Sequence, residues 1–303
     1  MMPAIERYLA LRRAAGFQLS NAEYLLASFA RFAAARKETH VRAETAIAWA
    51  ARSRSVAQRD ERLKTVCRFA HYVRLDDGRH ELPPPNHFGY RKRRRVPHIY
   101  SSGEIERLVR TALQLGPPGS LKGQTYGTLL ALLAATGLRV SEALKLRFPD
   151  ITPDGLLIRE TKFRKTRLVP LHDTAAAGLH QYLRTRRQVA AGEDHLFIGE
   201  NGRSLPYQTV QSTFVKLLKR ADLCSAPNRH RPRLHDLRHT FAVRALQDSP
   251  LGQRRVGQHT VALATYLGHV NIYATYWYLE AAPELLGDIA AVSEIFVCGG
   301  EPS

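Results

Sequence analysis

The sequence predicts a mainly α-helical protein with one small antiparallel β-sheet, arranged as an N-terminal helical bundle followed by a C-terminal α+β domain. Three observations predict it. Apolar residues recur at helical spacing through most of the chain, whereas "DGLLIRETKFRKTRLVPL" alone alternates β-rich runs around a polar, basic tip. Between helical regions, "ELPPPNHFGYRKRRRVPHIYSS" joins three consecutive prolines to a basic run, so it continues no helix and buries little. A chain of 303 residues is also long enough for two domains.

In chain order, "SNAEYLLASFARFAAARK" opens with Ser20 three residues before Glu23, a capping-box pattern, and sets Leu25, Phe29, Phe32 and Ala33 on one helical face. A second helix is predicted over about 56–74, with Leu63, Val66, Cys67, Ala70 and Val73 as its apolar stripe and Arg59, Arg62, Lys64 and Arg68 on other faces. Beyond the proline-rich segment, Ser101 and Glu104 form another capping-box pattern, and "YGTLLALLAATG" reads as a buried helix stopped by Gly137. A hairpin of short strands follows the Asp154-Gly155 turn. Helical patterns return over about 173–188 and 207–222 and again after Pro232.

Charge narrows the class of partner. Forty-five Lys and Arg against 27 Asp and Glu give +18, which calls for a polyanion: nucleic acid or an anionic membrane surface. No segment offers the roughly 18 consecutive apolar residues of a membrane span, and the N-terminus lacks the apolar region of a signal peptide, so a cytoplasmic protein is expected. Cys67, Cys224 and Cys298 are isolated and odd in number. They read as reduced thiols rather than as a disulfide framework or a cysteine zinc site.

Four motifs can carry chemistry. In "RLHDLRHTFAVRAL", Leu234, Leu237, Phe241 and Ala245 define a buried face and leave His235 and Arg238 one turn apart on an adjoining face. A guanidinium and an imidazole aimed at one spot suit an anion, although a surface pair beside a core stripe reads equally from the motif alone. The same letters place His235 and His239 at i and i+4 with Asp236 between, close to a zinc-hydrolase pattern but with aspartate where glutamate is required. No metal is expected there. In "AATGLRVSEALKLR", Arg139 falls at a helix N-terminus, where free N–H groups already favour an anion, and Glu142 stands one turn on to brace it. The hairpin tip "TKFRKTR" presents Lys162, Arg164, Lys165 and Arg167, able to enter a DNA groove or to give a proton to a leaving oxygen. Last, "TYLGHVNIYATYWYLE" holds Tyr266, Tyr273, Tyr276 and Tyr278, an aromatic cluster that by itself signifies packing as readily as a reagent.

Taken together, "TGLRVSEAL", the hairpin lysine before "RLVPL", "HDLRHTFA" and "LGHVNIYATYWYLE" resemble the tyrosine recombinases, the phage-integrase and Xer-like strand-exchange enzymes. The resemblance covers about 98–285. It implies a core-binding domain over 1–88, a basic linker over 89–98, a catalytic domain over 99–288 and a tail over 289–303 that docks on a neighbouring protomer. It further implies Arg139, Lys162, His235, Arg238, His269 and Tyr278 as catalytic residues, with Glu142 in support. Tyr278 stands nine positions after His269, the family's spacing, and Tyr276 is the other choice. Phosphate contacts are expected from Arg59, Arg62, Lys64, Arg68, Arg91, Lys92, Arg93, Arg94, Arg95, Arg164, Lys165 and Arg167.

The implied function is site-specific cleavage and rejoining of double-stranded DNA through a 3′-phosphotyrosyl intermediate and a Holliday junction, without metal, ATP or other cofactor. The implied assembly is a homotetramer or mixed recombinase tetramer on a specific recombination site, in a bacterial cytoplasm and on the nucleoid when bound. Competing readings are a non-cleaving DNA-binding protein of the same fold, a type IB topoisomerase-like enzyme and, more remotely, the zinc hydrolase.

Overall fold

The computed structural model describes residues 1–91, 95–159, 166–189, 192–224, 231–247 and 256–268, the side chains of 256–258 excepted. The chain divides into two compact units between Arg95 and Val96.

The first unit is built from α1 (Met2–Ala14), α2 (Ser20–Ala34), α3 (Ala43–Ala51) and α4 (Val56–Val73). On α4 the predicted stripe is buried at every position, Leu63, Val66, Cys67, Ala70 and Val73, and it packs with Ile5, Leu26, Phe29 and Trp49. Each such large apolar side chain contributes roughly 1.5–3 kcal/mol by leaving water. The stripe of α2 differs from the expectation: Leu26, Phe29, Ala30 and Ala33 are buried, while Leu25 and Phe32 sit at its margin. Its predicted capping box does not form. Leu19, left-handed at φ 52°, takes the cap position, so Ser20 is already helical and Glu23 instead pairs with Arg13 at 2.6 Å.

Helices α1 and α3 go beyond the elements read from the sequence. The cap of α3 is supplied from far along the chain, where Glu81 accepts the Ala43 N–H at 2.8 Å and an Arg42 N–H at 2.7 Å. Beside it, His40, Asp77 and His80 lie close enough to share an ion, but their donor atoms are already engaged. His80 Nδ1 accepts the Val41 N–H at 3.0 Å, which leaves the proton of a neutral ring on its other nitrogen. Asp77 takes Arg79 on both oxygens and His40 at 3.1 Å. The cluster is therefore a latch tying the chain after α4 to the start of α3.

The second unit contains α5 (Ser102–Leu113), α6 (Leu121–Thr136), α7 (Val140–Ala143), the strands β1 (Ile151–Thr152), β2 (Gly155–Ile158) and β3 (Arg167–Val169), then α8 (Asp173–Val189), α9 (Tyr207–Arg220), α10 (Asp236–Gln247) and α11 (Val256–Leu267). The Ser101–Glu104 capping box is present. Helix α6 is the spine: Leu129, Leu130 and Leu133 meet Leu108 of α5, Leu179 and Tyr182 of α8 and Phe214 of α9 in one core. The sheet is antiparallel in the order β1-β2-β3, with Leu156 opposite Val169 and Ile158 opposite Arg167. It has one strand more than the expected hairpin, because the Asp154-Gly155 turn joins β2 to β1, where Thr152 pairs with Gly155.

Gly137 ends α6 in the left-handed conformation, φ 61°, and hands the Leu133 carbonyl its N–H. A Cβ there would come within 2.4 Å of the Phe241 ring. Gly137→Ala is accordingly expected to destabilise the protein by about 2–4 kcal/mol, the sum of left-handed strain and overpacking, read as a lower melting temperature. No described helix is long and apolar enough to cross a membrane.

Candidate active site

The turn after α6 is where the site begins. Arg139 caps α7 from an extended conformation, its N–H donating to Glu142 Oε2 at 3.1 Å and its Nη1 to Oε1 at 2.7 Å. Glu142 thus braces Arg139, and it has a second cation. Arg167 on β3 donates Nη1 to Oε1 at 3.2 Å and Nη2 to Oε2 at 2.7 Å. Burial pushes the Glu142 carboxyl upward, but the hydrogen bonds and charge of Arg167, followed by those of Arg139, hold it below the usual glutamate range. The carboxylate stays ionised. Arg167 is thus engaged by Glu142, with a side chain only 13% exposed, rather than laid out for solvent.

Arg238 also departs from its expected position. It is 2% exposed, not on an open face, because α10 is enclosed almost all round: Asp236, Leu237, His239, Thr240, Ala242 and Val243 are buried as well. Apolar periodicity underestimates such a helix, since its polar residues find partners. Asp236 accepts from the Arg233 backbone at 2.8 Å and guanidinium at 3.1 Å, and Thr240 receives the Tyr100 N–H at 2.9 Å. Arg238 itself spans two helix ends, donating to Gly137 O at 2.7 Å and Leu267 O at 2.6 Å. Arg139 Nη2 lies 3.4 Å from the next carbonyl, Gly268 O. Two guanidinium groups therefore grip consecutive carbonyls at the point where the chain leaves for His269.

His235 stands at the start of α10, its ring 4.8 Å from that of His239 and nearly perpendicular to it. By surface area it is exposed, yet protein crowds the ring, and the pKa follows the crowding: desolvation first, then the Arg238 charge, lowers it to about 4. A neutral imidazole can accept a proton at physiological pH. The folded pKa lies below the unfolded 6.5, so the unfolded chain binds the extra proton between those values. Stability from this residue is thus unaffected above about pH 6.5 and falls as the pH drops toward 4. Following the His235 ring by NMR, we expect its titration below that of a free imidazole, and a higher pKa in Arg139→Ala, which removes one repelling charge.

Asp236 is turned toward Arg233, so the zinc-hydrolase alternative lacks a base aimed at the two imidazoles. Tyr266 is a packing residue: it stacks on Phe241 at 5.4 Å, donates to Thr136 O at 3.1 Å, and burial raises its pKa to about 12. Lys162, His269 and Tyr278 lie outside the described residues, as do Tyr273, Tyr276, Lys92, Arg93, Arg94, Arg164, Lys165 and the 289–303 tail.

In the first unit, several predicted phosphate ligands serve the fold. Arg59 donates to Ser53 O at 2.8 Å, Arg62 lies 4.2 Å over the Trp49 ring, and Lys64 pairs with Asp60 at 2.9 Å. Arg68 reaches Glu61 at 3.5 Å, Arg91 is exposed and Arg95 is half-buried. Arg167, expected at a solvent-facing basic tip, is paired with Glu142 instead. A signal existed in the sequence, where Arg167 directly precedes the apolar pair Leu168 and Val169.

Comparison with known proteins identifies the family. Residues 101–284 match the phage integrase family. The chain is 38% identical over 294 residues to a Sinorhizobium fredii protein named as an integrase/recombinase, y4rB, covering 93% of each. It is 30% identical over 246 residues to the tyrosine recombinase XerD of Caulobacter vibrioides, covering 79% of this chain and 75% of the other. Among solved structures, the Tn1549 transposon integrase in complex with transposon right end DNA superposes with TM-score 0.64 at 17% identity, covering 97% and 99%. A lambda integrase tetramer bound to a Holliday junction gives 0.60 at 15%, covering 89% and 77%. The match over more than half of the chain and the 38% identical relative show that the chain belongs to the phage integrase family of tyrosine recombinases.

Proposed function

We propose that this enzyme performs site-specific recombination of double-stranded DNA, cleaving each strand with Tyr278 and rejoining it to a new partner. One observation carries the reading: Arg139 and Arg238, from separate elements, bond the adjacent carbonyls of Gly268 and Leu267 beside a neutral-leaning His235. We read the pair as a cationic seat for a phosphate.

In the proposed reaction the two guanidinium groups stabilise charge on the non-bridging oxygens as the phosphorus becomes pentacoordinate. Such preorganised electrostatics are usually the largest catalytic contribution. His235 takes the Tyr278 proton, since a phenol of pKa about 10 is a weak nucleophile until its anion is stabilised. The phenolate oxygen bonds to phosphorus, the bond to the 5′ oxygen breaks, and Lys162 protonates that oxygen while His269 adds a hydrogen bond. The product is a 3′-phosphotyrosyl linkage and a free 5′ hydroxyl. Because phosphodiester energy is retained, a 5′ hydroxyl from the partner duplex reverses the attack without ATP or metal. The basic unit ending near residue 88 and the 89–98 linker would grip the duplex, consistent with a net charge of +18. Two pairs of protomers would form the tetramer that exchanges strands through a Holliday junction.

The test is incubation with nicked DNA from the flanks of the encoding locus, in EDTA and without nucleotide, followed by SDS electrophoresis. We expect an SDS-resistant protein–DNA adduct. Tight binding without an adduct would favour a non-cleaving DNA-binding protein. Plasmid relaxation without site-dependent exchange would favour a topoisomerase.

A further inference from the structure

We propose that Arg167 is a positioning residue for strand cleavage, acting through Glu142 to aim Arg139 at the phosphate and to keep that group of charges net positive. The inference rests on the recombinase reading above and adds a residue to it.

Charge is the first argument. Arg139 and Glu142 alone sum to zero, so a brace that fixes the guanidinium also cancels its field at an anion. Adding Arg167 to the same carboxylate restores one net positive charge. Each Glu142 oxygen then has an Arg167 donor, at 3.2 and 2.7 Å, as well as an Arg139 donor, at 2.7 and 3.1 Å. The pairing is enclosed, with the Arg167 side chain 13% and the Glu142 side chain 9% exposed, so solvent screens it little.

Geometry is the second. Arg167 packs so closely on Gly268 that a Cβ there would lie 3.0 Å from its Nη1, and Gly268, at φ 65°, is the residue whose carbonyl faces Arg139. One guanidinium therefore contacts the carboxylate that orients Arg139 and the backbone that leads into His269. Lysine cannot replace the fork, because an ammonium is a point donor and cannot span both oxygens in plane.

The experiment compares the full-length wild type with Arg167→Gln, Arg167→Lys, Glu142→Gln and the Arg167→Gln/Glu142→Gln double variant on a nicked DNA substrate. It reads DNA affinity, the adduct-forming rate at saturating DNA, and melting temperature. Arg167→Gln is expected to cut the saturated rate about 10- to 100-fold, the scale of a misaimed catalytic group, while DNA affinity stays within about threefold. Arg167→Lys should recover part of that rate, and the double variant should be no slower than the slower single, because the two residues act as one unit. Wild-type rate in Arg167→Gln, loss confined to affinity, or additive losses in the double variant would each overturn the proposal. Should Arg167→Gln fail to fold, Arg167→Lys decides: full wild-type rate overturns, a reduced rate at unchanged affinity supports. A wild type that forms no adduct defeats the recombinase reading itself. An active wild type with an indifferent Arg167 defeats only this inference.

Discussion

An Arg238→Ala variant is expected to form no detectable covalent complex with DNA and to be less stable than the wild type by about 2–4 kcal/mol, whereas Arg139→Ala loses cleavage but little stability. The asymmetry follows from where each guanidinium sits. Arg238 is 2% exposed and holds Gly137 O and Leu267 O, so its removal strands two carbonyls, each costing about 1–3 kcal/mol if left unpaired. It also unties the end of α6 from the end of α11. Arg139, with 31% of its side chain exposed, leaves Glu142 still paired to Arg167. For Arg139→Ala we expect a cleavage loss of about 10²–10³-fold, the scale of removing one oxyanion donor, with DNA affinity nearly kept because many other cations contact the backbone. Adduct yield, filter binding and thermal melting on both variants check the pattern. Equal stability losses would contradict it.

Tyr278→Phe is expected to bind DNA as the wild type does and to yield no adduct, since it removes only the oxygen proposed to attack. Tyr276→Phe is expected to retain the adduct. Positions two apart would be about 200° apart on a regular helix, so only one of the two hydroxyls is expected to serve the phosphate. Adduct formation by Tyr278→Phe together with its loss in Tyr276→Phe would move the nucleophile by two residues.

What the sequence made legible was local. The α4 stripe, the Ser101–Glu104 cap and the Gly137 stop each depend on residues within one or two turns, and each is found where periodicity and capping chemistry put it. What escaped depends on distant partners. Helix α3 is capped by Glu81, almost forty residues on, and β1 exists because β2 offers it an edge. The role of Arg238 is expected from its motif, but its burial is not, because a buried cation needs carbonyls from two other helix ends to be tolerable and those are known only once the chain has folded. Arg167 reads as part of a basic tip for the same reason. Its meaning comes from a glutamate on another element. The Arg139–Glu142 brace, three residues apart on one short helix, could be read directly.

The most direct test of the central claim, that the paired arginines seat a phosphate for attack by one phenol, is mass-spectrometric mapping of the covalent complex. Full-length protein trapped on nicked DNA, digested with nuclease and protease, is predicted to yield a single nucleotide-bearing peptide modified at Tyr278, linked to a 3′ phosphate. A modified residue elsewhere, a 5′ linkage, or no covalent peptide from protein that binds the same DNA tightly would contradict it.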